Sequence, residues 1–460
     1  MNIKNTFLLV GYIGLMLSVQ AQLSPAVTAW LQNTTETGSY YMAGNSTPIN
    51  NGILYNCQIV EYSDNYVYVH TNGIPSYPTG PFQDGNPSQA ESQDLILRFT
   101  LNPQEETGVK TATTPGKIGA FINGVSLYDY RDGVAWNPNT NTICGGPGNA
   151  MCPGGPMASQ DWNRDAIPAE MAGFDCSKAH PAMGDYHHHQ NPSAFKLDLD
   201  VVSNVCNLYD ADGLYAIDST SHSPLIGYAY DGFPIYGAYG FKNADGTDGI
   251  VRIKSGYQLR DITTRTTHAD GTDVDDGPDV GGEFFLGYFR EDYEFIANAA
   301  EDYLDEHNGR FCVTPEYPDG TYAYFATVDE NWNSAYPYVV GPTFYGVYEN
   351  AVVSSVSEPT TTYTPSVTSI SEAAFNELEI TVFPNPSAEL IAIQLGGLVV
   401  DEDMKVDLLD TQGRRVLHTE IKKGQTIAYF DVQTVYDGTY FVKISTQKHS
   451  LVEKVLIVKE

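Results

Sequence analysis

The chain of 460 residues is strongly acidic and rich in turn-forming residues. Hydrophobic residues make up 42%, which is enough for a packed core and excludes a wholly disordered chain. A formal net charge of -33 repels phosphate backbones and anionic lipid, so we expect no nucleic-acid partner. The 42 Gly, 26 Pro and 32 Tyr favour strands joined by turns over long helices. The composition predicts a mostly β protein with few short helices.

The amino terminus, residues 1–21, has the pattern of a secretory signal peptide. Lys4 supplies a positive charge, an apolar run follows from Phe7 to Val19, and Ala21 ends a small-residue cleavage motif. This run is shorter than a membrane-spanning helix requires, and no later segment reaches that length. We therefore expect an exported chain with no transmembrane segment after the signal is removed.

Export affects the interpretation of the six cysteines, because an oxidising compartment favours disulfides. Cys144 and Cys152 bracket a short Gly-Gly-Pro-Gly loop, so we expect these two residues to be bonded. Metal thiolates are the alternative, chiefly for Cys176, which lies four residues before His180. The other pairings stay open.

A large turn-rich β domain is predicted over residues 22–349. An amphipathic helix is predicted over 289–306, where apolar residues recur at helical spacing. Period-two alternation and runs of β-forming residues predict strands at 59–70, 95–99, 118–122 and 320–328.

Residues 350–376 are dominated by Ser, Thr and Pro, which predicts a linker, because such a segment buries too little apolar area to order itself. Residues 377–460 then return to alternating strands, and we expect a small immunoglobulin-like β-sandwich there. This carboxyl-terminal segment carries four blocks in a fixed order, at 382–386, 408–416, 437–443 and 454–459.

These blocks resemble the C-terminal sorting domain of type IX secretion substrates in the Bacteroidetes. The resemblance implies contact with the type IX secretion machinery, passage across the outer membrane, and removal of the domain. It also implies that the rest of the chain is released or attached at the cell surface.

A histidine cluster is the strongest candidate for a functional site. In Tyr186-His187-His188-His189, a strand conformation would place His187 and His189 on one face and His188 on the other. His180, from the preceding segment, would complete a three-imidazole set, and imidazole suits zinc and copper. The alternative is a histidine cluster with hydrogen-bonding roles only.

A second segment, Ser221–Gly237, supplies two further candidate ligands, His222 and Asp231. An apolar strand runs here into Asp-Gly and then Phe-Pro, which predicts a tight hairpin with Asp231 at its corner. Asp at such corners commonly bonds its own backbone. The functional alternative is a metal ligand, or a carboxylate that orients a histidine.

Together these segments resemble the YHYH-domain family, over most of Cys57–Tyr348. The resemblance extends to blocks at 72–75, 304–310, 314–322 and 336–342. The naming motif falls on 186–189, where His188 replaces the second tyrosine and both family histidines are kept. His307 stands where the family commonly has a cysteine, which leaves Cys312 to find another partner. The resemblance implies no settled activity.

Three acidic loops are candidates for calcium, because oxygen ligands around a glycine can wrap this ion. None has the terminal glutamate of an EF-hand, and solvated turns are the alternative. The loops are Asp210–Gly213, Asn243–Gly249 and Asp270–Asp279.

Two functions follow as hypotheses. The first is a metal-binding domain on an exported protein, acting as a metal-dependent enzyme on an extracellular substrate if the ion keeps an open position. The second is a non-catalytic surface module in which turn tyrosines stack on glycans. Motifs for serine nucleophiles are absent, so no catalytic residue is assigned. The glycan-stacking candidates are Tyr128, Tyr130, Tyr236 and Tyr239.

Overall fold

The computed structural model describes most of the chain after the amino-terminal segment. The predicted signal peptide, 1–21, and the last part of the predicted linker, 366–376, lie outside the described residues. No helix in the described ranges is long and apolar enough to cross a membrane. These ranges are 23–83, 89–146, 148–153, 155, 159–200, 203–209, 212–365, 379–396, 403–446 and 450–459.

The regular secondary structure of residues 23–365, called the body here, consists mainly of short strands joined by turns and loops, which confirms the predicted fold class. The strands are β1 (Thr37–Met42), β2 (Asn45–Leu54), β3 (Cys57–Tyr62), β4 (Tyr66–Thr71), β5 (Leu95–Thr100), β6 (Lys117–Phe121), β7 (Ser126–Tyr128), β8 (Arg131–Asn137), β9 (Thr142–Cys144), β10 (Asn163–Asp165), β11 (His180–Ala182), β12 (Asp185–His188), β13 (Leu225–Ala229), β14 (Pro234–Tyr236), β15 (Tyr239–Phe241), β16 (Ile250–Arg252), β17 (Tyr257–Leu259), β18 (Tyr293–Phe295), β19 (Gly309–Cys312), β20 (Thr321–Phe325), β21 (Val352–Val353) and β22 (Thr361–Tyr363). The helices are α1 (Pro25–Thr28), α2 (Ala166–Glu170) and the 3₁₀ turns Met171–Gly173, Phe195–Leu197, Asn204–Asn207 and Arg290–Asp292.

An eight-stranded mixed sheet, in the order β11-β12-β7-β6-β13-β14-β20-β19, organises the body. Its pairs β12–β7 and β14–β20 are parallel, and the other pairs are antiparallel. A five-stranded antiparallel sheet, β21-β5-β4-β3-β22, forms the second large layer. The predicted strands at 95–99, 118–122 and 320–328 are confirmed as β5, β6 and β20.

One apolar core lies between these two sheets. The Trp30 ring lies 5.3 Å from Phe99 of β5 and 5.6 Å from Tyr228 of β13, measured between ring centroids. Its indole Nε1 donates to the Ala26 carbonyl at 2.8 Å, so the tryptophan is buried without an unpaired donor. Helix α1, capped by Ser24, therefore fastens the amino-terminal end of the body to both sheets.

The strand predicted over 59–70 is instead a hairpin of β3 and β4. Ser63 forms its turn, because the hydroxyl accepts from the backbone N–H groups of Asn65 at 3.2 Å and Tyr66 at 3.0 Å. The apolar alternation persists through both strands, but the intervening Ser-Asp-Asn sequence is turn-forming.

The amphipathic helix predicted over 289–306 is wrong. That segment contains the 3₁₀ turn at Arg290–Asp292 and strand β18, which pairs with β17. Asp292 is fixed by a fully buried, bidentate ion pair with Arg265, with both N–O distances at 2.7 Å. Tertiary pairing thus outweighs the helical spacing of the apolar residues.

The predicted linker, 350–376, is attached to the body as far as it is described. β21 and β22 add to opposite edges of the five-stranded sheet, and the Tyr68 hydroxyl donates to Glu358 at 2.7 Å. Edge pairing orders a Ser/Thr-rich segment that has little apolar area of its own, so the body extends to residue 365.

Two disulfides are present, Cys144–Cys152 and Cys176–Cys206. The first confirms the predicted pair, and the second excludes Cys176 as a thiolate ligand. Cys57 and Cys312 are buried free thiols. At the family's cysteine position, His307 is held by a 2.7 Å hydrogen bond between its Nδ1 and the Thr343 hydroxyl.

The carboxyl-terminal residues 379–459, called the tail, form two antiparallel sheets around their own core. Their order is β23-β24-β27 and β26-β25-β28-β29. The predicted sandwich is present, and its immunoglobulin-like detail stays a prediction. The strands are β23 (Glu379–Phe383), β24 (Leu390–Gly396), β25 (Met404–Leu409), β26 (Arg415–Ile421), β27 (Ile427–Asp431), β28 (Gly438–Ser445) and β29 (Ser450–Ile457).

The buried carboxyl of Asp231, at the β13–β14 corner, makes the stability of the body depend on pH. Burial raises its pKa to about 6, although the Tyr324 hydroxyl and the Gly346 N–H donate to it. The unfolded-state pKa is about 3.9, so the fold favours the protonated form and stability is lost as pH rises from about 4 to about 6. Relative to Asp231→Asn, the free energy of unfolding should fall by about 2 kcal/mol over that interval.

Urea denaturation of both proteins at several pH values measures this difference. Because both chains share every other titrating group, parallel pH profiles would show that Asp231 keeps an ordinary pKa in the fold.

Candidate metal centre

A hairpin at the edge of the eight-stranded sheet carries the histidine cluster. β11 and β12 are antiparallel, and His180 lies directly opposite His187 in their register. The turn between them passes through Met183 and Gly184, both with positive φ (50° and 83°). Cross-strand neighbours on one face touch, so the hairpin alone brings the first two imidazoles together.

The side chains along β12 alternate as the sequence predicts. The Nε2 atoms of His187 and His189 lie 3.1 Å apart on one face. His188 points to the other face, where its Nε2 lies 3.0 Å from the Tyr77 hydroxyl. Burial lowers the pKa of His188 to about 3, so this ring is neutral and belongs to the packing of that opposite face.

Three imidazoles therefore form one compact group, His180, His187 and His189. One nitrogen from each lies within 4.8 Å of the other two. All three residues are buried, with exposed fractions of 8%, 1% and 4% in that order.

The hydrogen bonds of two rings fix which nitrogen faces the group. Nδ1 of His187 lies 2.8 Å from the Asp185 carbonyl, and Nδ1 of His189 lies 2.5 Å from the Asp129 carbonyl. A carbonyl only accepts, so each Nδ1 carries the proton and each neutral ring presents an Nε2 lone pair. Metal-binding histidines use their second nitrogen in this way.

Two Nε2 lone pairs at 3.1 Å repel each other unless a proton or a cation lies between them. Protonation is disfavoured, since burial, followed by the charges that His189 and His180 would carry, holds the pKa of His187 well below its usual value. Burial likewise lowers the pKa of His189. The arrangement is therefore suited to a cation other than a proton.

Glu170 is a fourth donor that the sequence did not indicate. Its Oε2 lies 3.2 Å from Nε2 of His180 and 3.3 Å from Nε2 of His189. Burial raises the pKa of this carboxyl, but the interaction with His180 and the charges that His189 and His180 carry when protonated outweigh burial and lower it. The ionised carboxylate and the three imidazoles make an N₃O set of the kind that zinc and copper accept.

Helix α2 positions Glu170 at its last residue. Asp165 caps this helix, because its Oδ1 accepts from the Ile167 N–H at 2.9 Å. An Asp before a short apolar run predicts such a cap, but the approach of the helix end to the hairpin is a tertiary contact. The local sequence could therefore have indicated the helix, but not the contact.

Neighbouring aromatic and acidic side chains pack around the imidazole rings and fix their orientation. The Tyr128 ring stacks on His187 at 3.8 Å between centroids, and its hydroxyl donates to Asp185 at 2.6 Å. Lys117 pairs with the same carboxylate. Phe174 meets His180 edge-on at 5.0 Å. These contacts limit ring rotation, so the donor positions are preset.

His222 and Asp231 are not among the three residues brought together here. Nδ1 of His222 bonds the Ser223 carbonyl at 2.7 Å, and its ring lies edge-on to Tyr236. The Asp231 carboxylate is occupied by Tyr324 and Gly346, and also accepts weakly from the Phe233 N–H at 3.3 Å, as expected for a turn aspartate.

The acidic loops form local turn bonds as far as they are described. Asp245 accepts from Thr247, Asp248 pairs with Lys242 at 2.5 Å, and Asp270 accepts from the Thr272 N–H at 2.9 Å. Asp210 and Ala211 lie outside the described residues. Among the described residues, the three histidines are the group of possible metal donors whose donor atoms lie close together, within 4.8 Å of one another.

Three of the four tyrosines expected to stack on glycans are not available for that role. Tyr130, Tyr236 and Tyr239 are buried in the core, and Tyr128 is stacked on His187. Glycan stacking by Tyr130, Tyr236 and Tyr239 is therefore wrong, because their rings are buried in the core; for Tyr128 it stays a prediction.

The fold and this centre define a mostly β protein with a buried, preset histidine cluster. Comparison with known families shows that the chain belongs to the YHYH protein family, which matches residues 97–337. Residues 381–459 match the secretion system C-terminal sorting domain. This domain marks a protein secreted across the outer membrane to the cell surface or the extracellular space, and implies interaction with the type IX secretion system.

Other comparisons add little. No curated protein matches the chain. Among solved structures, dimeric latent PorU from Porphyromonas gingivalis is similar at 17% identity, with a TM-score of 0.16. The similarity covers 18% of this chain and 9% of that one.

The helix that carries Glu170 depends on Asp165. Besides capping α2, this buried carboxyl group accepts from the Tyr338 hydroxyl at 2.6 Å. Asp165→Ala removes the cap and leaves a buried hydroxyl unpaired, so the free energy of unfolding should drop by about 3 kcal/mol. Chemical denaturation measures the loss. Asp270→Ala, which removes a similar bond at an exposed turn, is the control and should cost less than about 1 kcal/mol; equal losses would contradict the role given to Asp165.

Proposed function

We propose that the body binds one transition-metal ion, zinc or copper, through the Nε2 atoms of His180, His187 and His189. The observation that carries the proposal is the 3.1 Å approach of two Nε2 lone pairs whose rings are fixed by Nδ1–H bonds to carbonyls. A bound cation converts this repulsion into two favourable contacts. Imidazole nitrogens suit zinc and copper, whereas calcium prefers oxygen.

The role of Glu170 distinguishes two kinds of metal centre, a closed one with four protein ligands and one with an open position. As a fourth ligand it completes a closed set, and the ion stabilises the fold. If the carboxylate instead stays beside the ion, one position is open, and Glu170 serves as proton acceptor for a water held there. The second arrangement is an enzyme acting on an extracellular substrate.

We place this centre in an exported protein of four parts. The signal peptide, 1–21, is removed at the inner membrane, and the sorting domain, 377–460, passes the chain to the type IX machinery. The metal-binding domain, 22–349, then works at the cell surface or outside the cell. The joining segment, 350–376, is on the sheet edges as far as residue 365.

Metal content tests the first proposal directly. The chain from residue 22 to 460, purified without a polyhistidine tag from an oxidising compartment, should hold about one zinc or copper ion when measured by mass spectrometry. His187→Ala/His189→Ala should hold none, because it leaves a single imidazole in the group. His222→Ala is the matched control and should keep the ion.

Metal-free protein that stays folded after both ions are offered would overturn the metal centre. If His222→Ala also loses the ion while its circular dichroism is unchanged, the ion is not bound by the hairpin histidines alone, which contradicts the proposed site. The identity of the bound metal then selects hydrolytic or redox assays.

Glu170→Gln separates the closed set from the open one. If Glu170 is a ligand, the variant should bind the ion at least about tenfold more weakly, since an amide oxygen is a poorer donor than a carboxylate. Competition with a chelator measures the affinity. Unchanged affinity, with Co(II) absorption typical of an expanded coordination number in both proteins, would assign Glu170 the role of a base beside an open position.

A further inference from the structure

The tail does not stand apart from the body. Its three-stranded sheet, β23-β24-β27, lies against the body around the 3₁₀ turn Phe195–Leu197 and the segment Leu214–Ala216. A small apolar cluster joins them, with Leu197 and Ala216 from the body and Phe383, Ala392 and Ile427 from the tail. The three tail residues are buried, at 7%, 1% and 2% exposed.

Strand alternation shows that this burial is built into the tail sequence. In β24, Ile391, Ile393 and Leu395 face the core of the tail, whereas Ala392 and Gln394 face the body. β27 repeats the pattern, with Phe430 in the core of the tail and Ile427 toward the body. The outer face of a sandwich sheet is ordinarily polar, so this sheet has the sequence of one covered on both faces.

Polar contacts surround the apolar cluster. The Tyr55 hydroxyl donates to the Lys423 carbonyl at 2.6 Å, and the Ala216 N–H donates to Gln394 at 3.1 Å. The ammonium of Lys196 lies 3.6 Å from the centre of the Tyr429 ring. A polar rim around a small apolar centre is the anatomy of a specific contact.

The other sheet of the tail is open by comparison. Its outward side chains include Lys405, exposed, and Val452, 51% exposed. The two sheets of the tail therefore differ: one packs on the body, and the other has an exposed outer face.

We propose that the sheet β23-β24-β27 and the turn 422–426 form a docking surface for the body of the same chain, and that this contact depends on the covalent connection through 366–378. The contacts named above involve four residues of the body and six of the tail, far fewer than the roughly 20 to 30 residues a side of a stable interface between separate proteins. A covalent connection supplies an effective concentration of the order of millimolar, which lets so small a contact persist. Cutting the connection removes that advantage, and the tail then leaves the body.

Hydrogen exchange on the full chain tests the docking. In the intact protein, amides of 424–427 and 214–216 should be protected. Ile427→Asp places a charge in the apolar cluster and should raise their exchange rates about tenfold or more. Val452→Asp, the same change on the open sheet, is the control and should leave these rates unchanged.

A second variant changes a residue of the body, so its effect cannot come from misfolding of the tail. Lys196→Glu replaces the cation over Tyr429 with an anion, so exchange of 424–427 should again quicken, with β25 and β28 still protected. Exchange that is the same in all four proteins would overturn the docking surface.

Proteolytic cleavage between the body and the tail tests whether their contact depends on the covalent connection. With a protease site introduced between residues 366 and 378, cleavage should release a tail that elutes separately from the body in size-exclusion chromatography at micromolar concentration. Co-elution after cleavage would show that the contact persists without the connection, which contradicts this part of the proposal.

Discussion

The approach of two imidazole lone pairs in a buried hairpin is the constraint on which the rest of the site depends. Burial removes the water that would otherwise solvate His187 and His189, and it also keeps both rings neutral. Their Nδ1–H groups are satisfied by backbone carbonyls, so neither ring can turn away without leaving a buried donor unpaired. The fold therefore holds two lone pairs face to face, and this arrangement is the observation on which the proposed metal centre rests.

The position of the hairpin follows from the sheet. β12 pairs in parallel with β7, so the histidine strand is bonded on both sides, to β11 and to β7. The Cys176–Cys206 disulfide fastens the chain just before β11. Rigid support on each side of a ligand set is what presets metal donors to within a fraction of an ångström.

Local patterns in the sequence predicted part of this molecule, and the failures share one physical cause. The i, i+2 spacing placed His187 and His189 on one face because a strand has period two, and Cys144–Cys152 closed a loop that is short in sequence. Glu170 and the 289–306 segment depend on contacts distant along the chain. There the Arg265–Asp292 pair and the β17–β18 pairing decide the structure, and no local pattern encodes them.

The exposed fractions of the four donors bear on how a substrate would reach the ion. The three histidines are buried, with His187 the least exposed, whereas the side chain of Glu170 is 23% exposed. The way from solvent to the group therefore passes the carboxylate. In the proposed metal centre, a molecule approaching the ion would therefore meet the Glu170 carboxylate first. In that proposal, the position of the Glu170 side chain would distinguish a closed centre from one with an accessible ion.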